Sequence, residues 1–352
     1  MRLPLPWPKC RPRASPPDAS APGIGSDFAW SRMTVKKTLR GGTASPLSAS
    51  NLRRLKAPLD QLYDTFNHAE SAVDPVHVVR RYTAPEDQEV VAFCAAALAF
   101  GRVASVLDSI ESLLVVLGPH PAAFIRAFDP VRDAEPLCPL VHRWIRGIDL
   151  VALLWILRCM LTEEGSIEGY FLAGDEDYDG DHASDPDVGL VLDAFSGRAR
   201  AIDLTMIYGA SGGRRGVDYF FPRPDAGSAC KRLNLFLRWM VRRDAVDLGL
   251  WSRVSPSTLV IPLDTHVIRI GQCLGLTRYR SPGWRMARQI TESLRRLDPE
   301  DPTRYDFALC HLGMMDACGF SRPQRDDHCP LRGVCLPTGR RRRASAGPFV
   351  QR

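Results

Sequence analysis

The stretch Ile261-Pro-Leu-Asp-Thr-His-Val-Ile-Arg-Ile-Gly-Gln-Cys-Leu-Gly275 is the most informative part of the sequence for the fold. Asp264 follows Pro262 and precedes a run of apolar residues at helical spacing. A carboxylate in that place accepts hydrogen bonds from free backbone N–H groups of the first turn, which stabilises a helix by about 1 kcal/mol. We therefore predict a helix over 265–275 with Asp264 as its N-cap. A cap is also the simplest role for Asp264.

Outward from this stretch, the pattern is that of an all-α protein. Apolar residues recur at intervals of three and four, and no segment shows the alternation typical of a strand. The longest apolar stretch, Val90–Gly101, is too short to cross a bilayer, so we expect no membrane contact and a cytoplasmic protein. One helix is predicted to begin at about residue 57 and another to end before Gly101. Further helices are predicted at 103–117, 120–128, 137–146, 149–161, 188–202, 229–243, 283–297 and 302–316.

Charge is distributed unevenly along the chain. The sequence has 46 Lys and Arg against 40 Asp and Glu, a formal net charge of +6. Residues 1–56 carry eleven basic and two acidic side chains, and residues 336–352 carry five basic and none acidic. Both ends are predicted to be disordered basic tails. Met33 is an alternative first residue of the protein. The body between the tails is acidic overall, so the net charge alone does not indicate nucleic-acid binding.

One segment accounts for the acidity of the body. Residues 161–190 contain ten acidic residues and no Lys or Arg, which favours a solvated loop. Asp175, Asp177, Asp179 and Gly180 match the start of a calcium loop. The position that requires a bidentate Glu is Pro186, so we do not expect calcium there.

A second informative stretch lies upstream of Asp264. In Pro224-Asp-Ala-Gly-Ser-Ala-Cys-Lys-Arg-Leu-Asn-Leu-Phe-Leu, Gly227 is placed to form a turn and Lys231 to lie in the first turns of the next helix. Residues 219–253 hold seven basic and three acidic side chains. A basic stripe of this kind suits a phosphate-facing surface.

These two stretches, together with Arg304-Tyr-Asp-Phe-Ala-Leu, resemble an uncharacterised bacterial family that is a divergent member of the helix–hairpin–helix DNA glycosylase superfamily. That superfamily includes endonuclease III, the adenine glycosylases and the archaeal 8-oxoguanine glycosylases. The resemblance covers residues 57–335, although the usual Leu-Pro-Gly-x-Gly of the hairpin is absent.

The resemblance implies roles for particular residues. Asp264 takes the position of the catalytic Asp, and Lys231 that of the lysine that forms a Schiff base with the sugar C1′ in bifunctional members. A phosphate-contacting or solvated Lys231 is an equal alternative. The resemblance also implies DNA contacts by Gly227, Ser228, Arg102, Arg232, Arg238 and His266. Arg102 lies at the turn after the family's first helix, where an exposed helix-start residue is the alternative role.

Cysteines near the C-terminus resemble the iron–sulfur loop of the same superfamily. Cys318, Cys329 and Cys335 fit three of its four positions, and Asp326 stands where the second cysteine belongs. Cys310, Asp326 or His328 is available as a fourth ligand. An incomplete or decayed cluster is the favoured interpretation, and a working iron–sulfur cluster is the alternative.

The resemblance further implies an all-α, two-lobed glycosylase-like fold. The central lobe spans 90–262, and the second joins 57–89 to 265–335, with Lys231 and Asp264 in the cleft between them. The expected function is DNA base-excision repair by a monomeric glycosylase, with or without lyase activity, acting on double-stranded DNA at the nucleoid.

Two alternatives remain open on the sequence. One is a non-catalytic helix–hairpin–helix protein that binds DNA. The other is a helical protein-interaction module that has lost DNA binding, which the acidic segment 161–190 favours.

Metal analysis tests the iron–sulfur expectation. Protein purified without oxygen should carry iron and acid-labile sulfide and absorb visible light if Cys318, Cys329 and Cys335 hold a cluster, since thiolate-bound iron is coloured. Colourless protein that contains neither element contradicts a working cluster.

Overall fold

The computed structural model describes residues 44–68, 74–173, 187–209, 215–315 and 329–335, and these ranges are mostly helical. The all-α prediction is therefore confirmed, while the glycosylase-like arrangement and its two lobes remain predictions. The helices in these ranges are α1 (Ala49–Phe66), α2 (Val76–Val79), α3 (Pro85–Leu98), α4 (Val103–Leu117), α5 (Pro121–Ala127), α6 (Gly147–Glu164), α7 (Ile167–Leu172), α8 (Gly189–Ala201), α9 (Thr205–Tyr208), α10 (Arg215–Phe220), α11 (Lys231–Val241), α12 (Thr265–Leu274), α13 (Trp284–Arg295) and α14 (Asp306–Met314).

The helix predicted from the opening stretch is present with its cap. The Asp264 backbone is extended, and its carboxylate accepts from the Val267 N–H at 2.7 Å. Gly275, in the left-handed region at φ 74°, ends α12. Local sequence signals are sufficient here because the cap and the helix that it stabilises are neighbours in the chain.

The predicted helix at 137–146 is wrong. A short 3-10 turn at Glu135–Leu137 is followed by a hairpin of two strands, β1 (Val141–His142) and β2 (Ile145–Arg146). The strands are antiparallel, and His142 faces Ile145. Strands of two residues are too short to show an alternating pattern, so they could not be predicted from hydrophobic periodicity.

Both described ends of the acidic segment are helical. Its beginning continues α6 and forms α7, and its end begins α8. Asp175, Asp177, Asp179 and Gly180 lie outside the described residues.

Helix α3 is central to the packing. It is apolar on all sides from Val90 to Leu98, and it packs against α2, α4, α5 and α11. Its first two turns carry two buried acids that cap other helices. Asp87 accepts from the Ala122 N–H at 2.7 Å, at the start of α5, and Glu89 accepts from the Ile167 N–H at 3.0 Å, at the start of α7. These bonds fix where α5 and α7 begin relative to α3.

Helix α14, near the C-terminal end of the described chain, packs against helices from both ends. It packs against α1 and against α12. The connection to α11 is ionic, through a group that we call the charge cluster. Its members are Arg238, Arg242, Asp244, Asp247, Asp301 and Asp306.

The charge cluster is largely removed from water. The side chains of Arg238 and Arg242 are each 3% exposed, and that of Asp247 is fully buried between them. The Arg242 Nε lies 2.9 Å from both carboxylate oxygens of Asp301. Burial acts to lower the pKa of Arg242, but the surrounding carboxylates outweigh it and raise that pKa well above its ordinary value. Both arginines therefore stay charged and paired.

Within the described residues, no single helix is both long and apolar enough to cross a membrane. The pair α4 and α5, bent by 63° at the break between them, meets the length and composition together.

Removal of a buried guanidinium should destabilise the fold. Arg242→Met leaves the Asp247 carboxylate buried with one partner fewer, so we expect the free energy of unfolding to fall by about 3–5 kcal/mol. Arg243→Met is the matched control, because the neighbouring Arg243 is exposed and should change stability by less than about 0.5 kcal/mol. Denaturant unfolding measures both, and equal stabilities for the two variants would contradict the structural role of the charge cluster.

Candidate functional site

A cleft of about 290 Å³ opens where α11, α12 and α14 begin. The turn between α3 and α4 forms one wall, with Phe100 and Gly101, and the start of α2 forms another, with Asp74 and Pro75. Lys231 and Asp264 both line this cleft. Two residues that the sequence places 33 positions apart are thus on the same surface, as the hypothesis of a shared site requires.

The turn before Lys231 has the predicted geometry. The Gly227 N–H donates to the Pro224 carbonyl at 2.9 Å, and Gly227 adopts φ 80°, which favours glycine. Cys230 also lies in the left-handed region, at φ 48°, and Lys231 is the first residue of α11. The sharp change of direction at Cys230 places Lys231 at the cleft rather than within a preceding helix.

Asp264 is held at both carboxylate oxygens. Oδ1 accepts from the Val267 N–H, and Oδ2 accepts from the Cys310 thiol at 2.9 Å. Burial, followed by Asp264 and Asp306, raises the pKa of Cys310 well above its ordinary value, and Lys231 only partly offsets this. Cys310 therefore stays protonated in the cleft and acts as a hydrogen-bond donor rather than as a nucleophile.

Asp306 is a second carboxyl group of the cleft, and the sequence analysis did not select it. It is the first residue of α14 and only 3% exposed. Oδ2 pairs with Arg238, while the buried Oδ1 has no hydrogen-bond partner among the described residues. The signal in the sequence was weak, because an Asp in the first turn of a helix usually serves only as a favourable charge.

Burial raises the pKa of Asp306, and the excess of carboxylates around it adds to the effect. The charge cluster has two guanidinium groups and four carboxylates, so it carries excess negative charge when all are ionised. Burial raises the pKa of Asp306 to about 7, and the nearby Asp264 adds to this, while Arg238 opposes it. The cleft thus combines Asp264, in a position of strong hydrogen bonding, with a carboxyl group suited to proton transfer near neutral pH.

Two histidines complete the polar lining. The His266 Nδ1 and His311 Nε2 atoms are buried without hydrogen-bond partners among the described residues. Gly313 makes room for His266, because a Cβ there would lie 2.5 Å from the His266 Cβ. Burial lowers the pKa of His311, so this ring is neutral at physiological pH. His266 was predicted to contact DNA, and it lies at the cleft.

The predicted basic stripe over 219–253 is not a surface, and this part of the sequence analysis is wrong. Three of its arginines are buried and two more pair with carboxylates, so among the described residues only Lys231 and Arg243 are neither buried nor paired with a carboxylate. The buried ones are Arg232, Arg238 and Arg242, and the paired ones are Arg223, with Asp193, and Arg253, with Glu168.

Arg232 and Arg238 were predicted to bind DNA, and their burial argues against that role. Arg232 is 7% exposed, donates to the carbonyl oxygens of Ala97 and Tyr219, and stacks 3.4 Å from the centre of the Tyr219 ring. Arg238 is 2% exposed within the charge cluster, although part of it lines the cleft. Both guanidinium groups are engaged by the protein itself.

Other predicted DNA contacts have a mixed placement. Gly227 and Arg102 are exposed, and Ser228 is half-buried with its Oγ accepting from the Cys230 N–H at 3.2 Å. Gly227 also accepts from the Trp284 N–H at the start of α13. These positions are compatible with a ligand, and their role in DNA binding stays a prediction.

The iron–sulfur expectation is not tested by the described residues. Cys318, Asp326 and His328 lie outside them. Cys310, considered as a fourth ligand, points its thiol at Asp264. Among the residues that the structure describes, no three His, Cys, Asp or Glu side chains are grouped to hold a metal ion.

The geometry defines a helical protein with a small cleft whose lining includes Lys231 and carboxyl groups at or just before helix starts. Residues 74–315 match the family described as "Protein of unknown function (DUF2400)". The match covers more than half of the chain, and the protein belongs to this family. No curated protein and no solved structure matches the chain.

The pH dependence of stability should identify Asp306. The unfolded carboxyl group has released its proton above its ordinary pKa of 3.8, whereas the folded group keeps it up to about 7. Between these values the unfolded state binds fewer protons, so stability falls as the pH rises. We expect the wild type to lose about 2 kcal/mol between pH 5 and 7 through this group, and Asp306→Asn to lack this loss.

Denaturant unfolding across this pH range measures the effect. The other titratable or charged groups facing Asp306 are Arg238 from α11, Asp264 before α12, Asp247 and Cys310, and they remain in the variant. An unchanged slope in Asp306→Asn would show that Asp306 is ionised throughout.

Proposed function

We propose that this protein is a DNA glycosylase with lyase activity that acts on a damaged base in duplex DNA. The observation that carries the proposal is that Lys231 and Asp264 line one cleft, each at the start of a helix. These are the two residues that the resemblance to helix–hairpin–helix glycosylases singles out.

The size and the rim of the cleft support the proposal. Its volume lies at the lower end of the range for ligand pockets, which suits a single flipped base rather than a larger ligand. Arg102, Arg143 and Arg146 are exposed near the turn at Gly101 that borders the cleft. Exposed cations at the rim can contact backbone phosphates, a role that the buried arginines of α11 do not fill.

The residues of the cleft suggest a division of roles. The amine nitrogen of Lys231 attacks C1′ of the damaged nucleotide, the C1′–N bond breaks, and its electron pair leaves with the base. The base takes a proton, for which the Asp306 carboxyl group is the available donor. Asp264 offsets the positive charge that develops on the sugar. The C1′–O4′ bond then breaks, O4′ takes one proton from the attacking nitrogen, and a protonated Schiff base remains.

Borohydride trapping tests this chemistry. Reduction should link Lys231 covalently to a duplex that contains the correct lesion, and a base-release screen over a panel of lesions identifies that duplex. We expect Lys231→Met to abolish the adduct and Asp264→Asn to slow base release by at least about a hundred-fold.

Lys56→Met is the matched control for trapping. Lys56 is the other lysine in the described chain, and it pairs with Asp60 and Tyr305 in a different part of the protein. This variant should trap as well as the wild type. A protein that binds DNA with a steep salt dependence, unaffected by Asp264→Asn and without base release, would instead be a non-catalytic DNA-binding protein.

A further inference from the structure

Trp144 is an exposed aromatic side chain beside the cleft. It occupies the tip of the hairpin formed by β1 and β2, and it is 52% exposed. A single exposed apolar side chain is ordinary, whereas one that continues a group of neighbouring rings forms a patch of the kind that marks binding surfaces.

The hairpin that carries Trp144 is anchored to the cleft wall. His142 is 4% exposed, and its two ring nitrogens contact the Ser109 Oγ at 2.8 Å and the Phe100 carbonyl at 3.0 Å. Ile145 is fully buried on the other strand. The tip is therefore held in place at both of its flanks, although Arg143 adopts the strained value φ 55°.

The Trp144 ring packs against two other rings. Phe100 lies 4.7 Å and Tyr219 5.0 Å from it, centre to centre, and these two rings are 4.8 Å apart. The buried Arg232 stacks behind Tyr219. Phe100 also lines the cleft, so the aromatic group runs from the cleft to the surface without interruption.

Three exposed arginines surround this aromatic group. The Arg143 guanidinium lies 5.4 Å from the centre of the Trp144 ring, and its Nη1 packs over Gly101, where a Cβ would come within 3.2 Å. Arg102 follows Gly101, and the Arg146 Nη1 donates to the Arg143 carbonyl at 2.9 Å. Within the described residues, none of the three forms an ion pair with a carboxylate.

We propose that Trp144 and these arginines bind an unpaired base of a DNA strand, with the ring of Trp144 stacking on the base and the arginines contacting the flanking phosphates. This deepens the proposed function on which it rests, because it makes a locally opened strand part of the substrate beside the cleft. A planar apolar face next to unpaired cations complements a ligand that is both flat and anionic, and a nucleotide has both properties.

The same features select an unpaired base over other partners. A base inside a duplex is stacked on both faces and offers none to Trp144. The carboxylates of an acidic peptide would satisfy the arginines but offer no planar face to the indole.

Binding of short labelled oligonucleotides tests the proposal. The probes are a single strand of deoxythymidines, a strand of equal length that lacks bases, and a blunt duplex, each followed by fluorescence anisotropy with the full chain. We expect the wild type to bind the deoxythymidine strand more tightly than the base-free strand. Trp144→Ala should weaken binding of the deoxythymidine strand by about ten-fold or more and leave the base-free strand unchanged. Trp144→Phe should be intermediate.

Trp155→Ala is the control, because Trp155 is also a partly exposed tryptophan with an arginine, Arg158, 4.8 Å from its ring centre. Thermal unfolding confirms that each variant is folded. Unchanged affinity of Trp144→Ala for the deoxythymidine strand, an equal loss on the base-free strand, or no binding by the wild type at low salt would overturn the proposal.

The two proposals can fail separately. A base-dependent loss in Trp144→Ala without any Lys231 adduct would leave the base-binding surface and remove the glycosylase. An adduct at Lys231, together with unchanged strand binding by Trp144→Ala, would support the glycosylase and remove the base-binding surface.

Discussion

The pairing of Arg238 and Arg242 with four carboxylates is the interaction on which the rest of the structure depends. It joins α11 to the segment at 244–247, which follows it, and to the segment at 301–306, which is remote in sequence. Breaking one partner of a buried pair is costly because the remaining charge cannot return to water. The relative positions of the starts of α11 and α14, and hence of two walls of the cleft, follow from these ion pairs.

The charge cluster also links stability to chemistry. Its carboxylates outnumber its guanidinium groups, and one of them, Asp306, lines the cleft with an oxygen that has no partner among the described residues. A carboxyl group that is protonated near neutral pH is unfavourable for folding at higher pH, yet it is what a proton donor requires. Such a conflict between a local cost and the stability of the whole is common at functional sites.

Local features of this protein could be predicted from its sequence, and non-local ones could not. The N-cap at Asp264, the turn at Gly227 and the position of Lys231 at a helix start each depend on a few adjacent residues. The direction of the arginines depends on partners far along the chain. Arg238 on α11 and Arg242, the residue that caps its end, are buried because Asp306 and Asp301, far along the chain, pair with them. Counting charges in a segment cannot distinguish such buried arginines from a surface.

The two hydrogen bonds of Asp264 have a consequence for any positive charge that forms in the cleft. With Val267 holding one oxygen and Cys310 the other, the carboxylate has no freedom to rotate. A group fixed in this way is preorganised, so its dipoles and charge need no rearrangement when a cation appears beside it. Water molecules would have to reorient around such a cation, whereas the Asp264 carboxylate was already oriented when the chain folded.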